Sequence, residues 1–88
     1  MDVSMSAGER AKKASAERAL RFVEDGMRLG LGTGSTAAWL VKLLGERTRQ
    51  GGFEITCVPT STRTADLAQE CGLKITTLDE AGWLDLTI

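Results

Sequence analysis

Residues 29–40 read LGLGTGSTAAWL. Two leucines alternate with glycine, a glycine-and-hydroxyl turn follows, and an apolar helical pattern begins at once. Met27, Leu29 and Leu31 alternate with Arg28 and Gly30, which predicts a short strand. Gly32, Thr33 and Gly34 break it, and Ser35 or Thr36 is placed to cap the next helix. Ala37, Leu40, Val41 and Leu44 repeat at helical spacing, so the helix is expected over 36–49, ending at Gly51 and Gly52.

The same alternation continues on both sides. Upstream, Ala16, Ala19, Leu20 and Val23 form one face of a helix predicted over 9–25, with Gly26 as its stop. Downstream, FEITCV at 53–58 is rich in β-branched and aromatic residues and predicts a second strand that Pro59 ends. Thr60, Ser61 and Thr62 lead into a helix over about 63–71, whose apolar residues are Ala65, Leu67, Ala68 and Cys71, closed by Gly72. Lys74–Leu78 predicts a third strand, 79–83 a turn or single helical turn, and LDLTI at 84–88 a fourth strand. Strands separated by helices of this length imply parallel, right-handed crossovers. The expected fold is therefore α/β: a Rossmann-like half of a doubly wound, mostly parallel sheet with an N-terminal helix.

The bulk numbers narrow the function. With 88 residues the chain is one small domain, and it shows no internal repeat. Eleven basic against 12 acidic residues give a net charge of −1, which lacks the basic excess of a nucleic-acid surface. No apolar run reaches a membrane span, and the polar N-terminus has no secretory apolar region. Cys57 and Cys71 stand apart and there is no histidine, so a zinc site is not expected and the commonest general base is missing. Both cysteines are expected as reduced, packed thiols in a cytoplasmic protein.

In open α/β sheets ligands bind beyond the carboxyl ends of strands. The 32–36 turn sits at such an end, where a helix N-terminus offers unpaired amides and a positive dipole end. Thr33, Ser35 and Thr36 add hydroxyl donors, and glycine lets an anion come close. This reads as a phosphate cradle, or as a tight turn in which glycine serves geometry alone. The dinucleotide pattern GxGxxG fails because Ser35 stands where its last glycine belongs, and no acid ends the second strand. The P-loop pattern fails too. The hydroxyl cluster Thr60, Ser61, Thr62 and Thr64 either faces the same crevice or caps the following helix, with capping favoured for Thr62 and Thr64.

The segments GMRLGLGTGSTAAWLVKLLGER and VPTSTRTADLAQECGLKITTLDE together resemble the start of the type A ribose-5-phosphate isomerase family, over about residues 9–88. The resemblance implies that Thr33, Gly34, Ser35 and Thr36 hold the phosphate of a sugar phosphate. It implies an aldose–ketose isomerisation of ribose 5-phosphate to ribulose 5-phosphate through an enediolate, with no cofactor or metal, in a homo-oligomeric enzyme. It also marks a departure. The family's Asp-Gly-Ala-Asp-Glu motif, its Lys-Gly-Gly-Gly loop and its catalytic glutamate come after the position of Ile88. Residues 1–88 are thus expected to be the N-terminal part of one isomerase domain, a fragment that carries no catalytic residue and is inactive alone. Asp79, Glu80 and Asp85 are not expected to be catalytic, and Trp39 and Trp83 are expected in the core or a dimer interface. Two other readings stay open: a non-catalytic sugar-phosphate-binding module, and a dinucleotide-binding half-domain.

Overall fold

The computed structural model describes residues 6–32 and 34–88. Helix α1 (Ala7–Leu20) leads into strand β1 (Arg28–Leu31), and helix α2 (Ser35–Arg49) into β2 (Thr56–Pro59). Helix α3 (Thr62–Glu70) is followed by β3 (Lys74–Ile75), the short helix α4 (Leu78–Ala81) and β4 (Leu86–Thr87). The strands form one parallel sheet in the order β3-β2-β1-β4, with Leu29 opposite Cys57 and Leu86. The expected α/β half-sheet is present, and β4 pairs with β1. No helix among the described residues is long and apolar enough to cross a membrane.

Side chains on one face of the sheet meet the helices. Leu29, Leu31, Ile55, Cys57 and Leu73 pack with Leu40, Val41 and Leu44 of α2, Ala16 of α1 and Ala68 of α3. The predicted stripes of α1 and α2 thus form the core: Ala16, Val23, Ala37, Leu40, Val41 and Leu44 are all buried. Successive strand residues point to opposite faces, and Gly30 accordingly meets Leu84 and Thr87 rather than the helices. Val58, its partner in register, is buried outside the main cluster.

Several boundaries differ from the expectation, each for a local reason. Helix α1 stops at Leu20 because Arg21, Phe22 and Val23 donate to carbonyls only three residues back, which tightens the chain and turns Val23 inward. Residues 53–55 lie outside the ladder. Their backbone is held by the 25–26 turn instead, with the Glu54 amide donating to Asp25 Oδ1 and the Glu54 carbonyl accepting from Gly26. Pro59 is the last residue of β2 and not a residue beyond it. Strand β3 is two residues long because Thr77 turns the chain into α4, its hydroxyl accepting from the Glu80 amide. The sequence Thr-Leu-Asp-Glu at 77–80 is a helix-start signal that outcompetes strand continuation.

Trp39 is half-buried against the core, as expected. Trp83 is not a core residue. It is 57% exposed and lies under the Arg28 guanidinium, 3.9 Å from the ring centroid. Asp85 clasps the start of β1, its carboxylate accepting from the Arg28 amide at 2.7 Å and its own amide donating to the Arg28 carbonyl.

Helices α2 and α3 touch at Gly45. A β-carbon there would lie 2.8 Å from Cys71 Cβ and 2.9 Å from the Cys71 carbonyl oxygen. Because a backbone atom cannot swing aside, Gly45→Ala should separate the helices and cost about 1–3 kcal/mol, read as a lower midpoint in thermal melts. The thiols offer a second check. Cys57 is buried and Cys71 half-buried, both free. Burial pushes the Cys57 thiol from its ordinary 9.0 up to about 12. An alkylating reagent near pH 8 should therefore modify Cys71 first and Cys57 only on unfolding. The unfolded thiol ionises before the folded one, so this group makes stability fall as pH rises from 9.0 towards about 12. Alkaline melts of the wild type and Cys57→Ala measure that slope.

Candidate functional site

Strands β1 and β2 are neighbours, so the helices that follow them begin side by side at the carboxyl edge of the sheet. Helix α2 opens differently from the others. Ser6, Ser61 and Thr77 cap α1, α3 and α4 with their hydroxyls. At α2 the cap residue is Gly34, which makes no side-chain cap hydrogen bond. Ser35 and Thr36, expected as caps, instead lie inside the first turn. The reason is the backbone at Gly34, with φ 129° and ψ 173°. That conformation is open to glycine and strained for L-residues, so the chain turns one residue earlier than the hydroxyls suggest. The first amides of any α-helix lack intrahelical partners, and the dipole makes this end attractive to anions.

Gly34 and Ser35 line a groove of about 510 Å³ between the three long helices, together with Glu9 of α1, Trp39 and Lys42 of α2, and Arg63, Thr64 and Asp66 of α3. Thr36 sits in the same first turn and is half-buried. Thr33, the fourth residue expected to hold phosphate, lies outside the described residues. The structure thus brings Gly34, Ser35 and Thr36 together at one helix start.

A basic residue joins them that the sequence reading did not single out. Lys12 of α1 donates from Nζ to Ser35 Oγ at 3.2 Å. Its ammonium also lies 3.7 Å from Glu9 Oε1, while Glu9 Oε2 accepts from the Trp39 indole at 2.9 Å. Both partners of the ion pair are about half exposed, with side-chain values of 45% and 42%. Such a pair contributes at most about 1 kcal/mol, so the ammonium is only lightly committed to Glu9. The signal for Lys12 was its spacing. It lies one turn before Ala16 on the face that packs against α2, whereas a lysine pair at a helix start reads first as a solvated face.

The second hydroxyl cluster braces the loop from behind. Thr60 donates both its amide (2.9 Å) and its hydroxyl (3.0 Å) to the Leu31 carbonyl. Ser61, not Thr62 or Thr64, is the cap of α3, and Thr64 reaches across to the Gly32 carbonyl at 3.2 Å. Thr62 is exposed. Among the described residues no group of three or more His, Cys, Asp or Glu side chains could hold a metal ion.

No protein-family model matches the chain. Over all 88 residues it is 62% identical to ribose-5-phosphate isomerase A of Dinoroseobacter shibae, covering 34% of that protein. It is 61% identical to ribose-5-phosphate isomerase A of Ruegeria sp. strain TM1040, again covering 34% of the relative. Among solved structures, a D-ribose-5-phosphate isomerase in complex with phospho-erythronic acid superposes with a TM-score of 0.86 at 45% identity, over 90% of this chain and 35% of that one. Ribose 5-phosphate isomerase A from Methanocaldococcus jannaschii gives a TM-score of 0.84 at 38% identity, over 92% of this chain and 36% of that one. The chain spans about a third of the length of the curated relatives it matches.

The helix start itself is open to test. Gly34→Ala forces a β-carbon onto the positive-φ backbone and should destabilise the chain by about 1–3 kcal/mol. Amide chemical-shift changes should concentrate at residues 31–37, and a variant with wild-type shifts and midpoint would contradict the strained turn.

Proposed function

The chain has the sequence and fold of the N-terminal third of the ribose-5-phosphate isomerase A family, and on that premise we propose that it supplies the phosphate-holding part of an enzyme interconverting ribose 5-phosphate and ribulose 5-phosphate. The observation that carries the reading is the α2 turn, where Gly34, Ser35 and Thr36 open a helix without a side-chain cap and Lys12 stands against Ser35. Thr33, Gly34, Ser35 and Thr36 take the phosphate oxygens: amides and hydroxyls donate, the glycine backbone allows close approach, and Lys12 balances charge. Residues 1–88 are in this reading the N-terminal part of one domain, in a cytoplasmic, homo-oligomeric enzyme that needs no cofactor.

An aldose–ketose shift moves a proton between C1 and C2 through an enediolate, and needs a base and donors for the developing oxyanion. The phosphate is at the far end of the sugar. Binding energy collected there holds the reacting carbons in place, which is the contribution of this segment. None of its carboxylates is assigned as the base. Asp85 is committed to the Arg28 amide at the start of β1, the opposite end of the strand from the turn. Glu80 accepts from the Thr76 hydroxyl, and both it and Asp79 are exposed on α4. A solved relative is in complex with phospho-erythronic acid, a phosphorylated sugar acid, which supports a sugar phosphate as the class of ligand.

The test joins residues 1–88 to the remainder of the Dinoroseobacter shibae relative and follows isomerisation of ribose 5-phosphate. The hybrid should turn over, and the 88-residue chain alone should not. Thr36→Ala in the hybrid should raise KM about tenfold, the equivalent of one charge-assisted hydrogen bond. An inactive but folded hybrid, or an unchanged KM, counts against the reading. Binding of ribose 5-phosphate without turnover by a folded hybrid would indicate a sugar-phosphate-binding module.

A further inference from the structure

Among the described residues Thr64 is the buried polar side chain, 6% exposed in a core otherwise apolar. It lies on α3, one turn into the groove, and does not belong to the α2 turn. Its hydroxyl is nonetheless tied to that turn. Ser61 Oγ accepts from the Thr64 amide at 3.3 Å, which completes the cap of α3. The Ser61 hydroxyl then donates to Thr64 Oγ1 at 3.1 Å, and the Thr64 hydroxyl donates to the Gly32 carbonyl at 3.2 Å. Each proton is used once, so the chain of bonds has a single direction, from the helix cap to the loop.

The cap of α3 does not require the last of these bonds. Ser61 satisfies the amide whatever side chain stands at 64. The Thr64 hydroxyl therefore serves the loop. It grips Gly32 from the α3 side while the Gly32 amide donates to the Ile88 carbonyl at 2.7 Å on the other side. With Thr60 holding the Leu31 carbonyl, the peptide groups on both sides of Gly32 are held by hydrogen bonds from neighbouring segments. A turn fixed before the ligand arrives loses less freedom on binding, and that difference appears as affinity.

We propose that Thr64 is a positioning residue for the anion-holding turn at Gly34–Thr36: it holds the Gly32 carbonyl and presets the donors without touching the ligand. The proposal rests on the phosphate-holding reading of that turn. Because threonine and valine have nearly the same shape, Thr64→Val removes the hydroxyl and keeps the packing, and Thr64→Ser keeps the hydroxyl.

The test uses the isotope-labelled hybrid of residues 1–88 with the remainder of the Dinoroseobacter shibae relative, with inorganic phosphate and ribose 5-phosphate as probes and the amides of Gly34, Ser35 and Thr36 as reporters. Thr64→Val should raise Kd for both probes by the same factor, about three- to tenfold, as expected for one lost hydrogen bond. It should also speed hydrogen exchange at those amides while leaving Leu67 and Ala68 of α3 unchanged. Thr64→Ser should restore both affinities even where its melting point falls. An unchanged Kd in Thr64→Val beside a lowered melting point overturns the proposal and leaves a purely structural threonine. A Thr64→Ser variant as weak as Thr64→Val overturns it as well, since the methyl would then be what matters. If the wild-type hybrid shows no probe-dependent shifts at Gly34–Thr36, or if Thr36→Ala binds like wild type, the phosphate-holding reading itself falls and the proposal with it.

Discussion

A parallel strand must hand its chain to a helix running back along the sheet, and at the end of β1 this reversal takes place at Gly34. The φ of 129° there is the constraint on which the rest depends. It sets where α2 begins, so Leu40, Val41 and Leu44 fall over Leu29 and Leu31, and the core closes. It also leaves the first turn of α2 without a side chain in the capping position. A serine or aspartate at that place would have offered its own oxygen to the amides. Glycine offers none, so the conformation that builds the core also leaves the helix start without a side-chain cap.

The elements around this turn serve it in different ways. Helix α1 covers α2 and carries Lys12 to Ser35. Helix α3 approaches closely enough at Gly45 that no side chain fits between, and this brings Ser61 and Thr64 within reach of Gly32. Strand β4 completes the frame from the far side through Ile88. The groove thus has mixed walls, basic at Lys42 and Arg63 and acidic at Glu9 and Asp66, around a helix end that favours negative charge.

Much of this was legible in the sequence because the signals were local. The apolar spacing of Ala16 to Val23 and of Ala37 to Leu44 predicted both helices and their buried faces. The alternation at Met27 to Leu31 predicted β1, and the glycines after it marked the break before α2. What escaped the sequence depended on contacts between distant residues. Lys12 and Ser35 meet across 23 positions, and Thr64 and Gly32 across 32. Neither pair has a periodicity that would announce it. The ends of elements were misplaced where two local signals competed. Thr77 capped a helix where β-branched residues suggested a strand, and Gly34 took the turn that Ser35 and Thr36 were expected to make. Trp83 was expected in the core or an interface by size alone, and its stacking under Arg28 on the surface follows from a chain path set by α4.

The clasp between Asp85 and Arg28 has a consequence for the order of events during folding. It joins residues 57 positions apart, and the bond from Gly32 to Ile88 spans a similar distance. The entropy of closing so long a loop is lost before any contact compensates it. Helices α1 and α2 and the β1–β2 pair can assemble from nearer neighbours, so β4 docks late. The turn after β1 therefore lacks its bond to Ile88 until β4 docks. On a ribosome, the glycine turn is made early in synthesis and gains its bond to Ile88 only once that residue has been added.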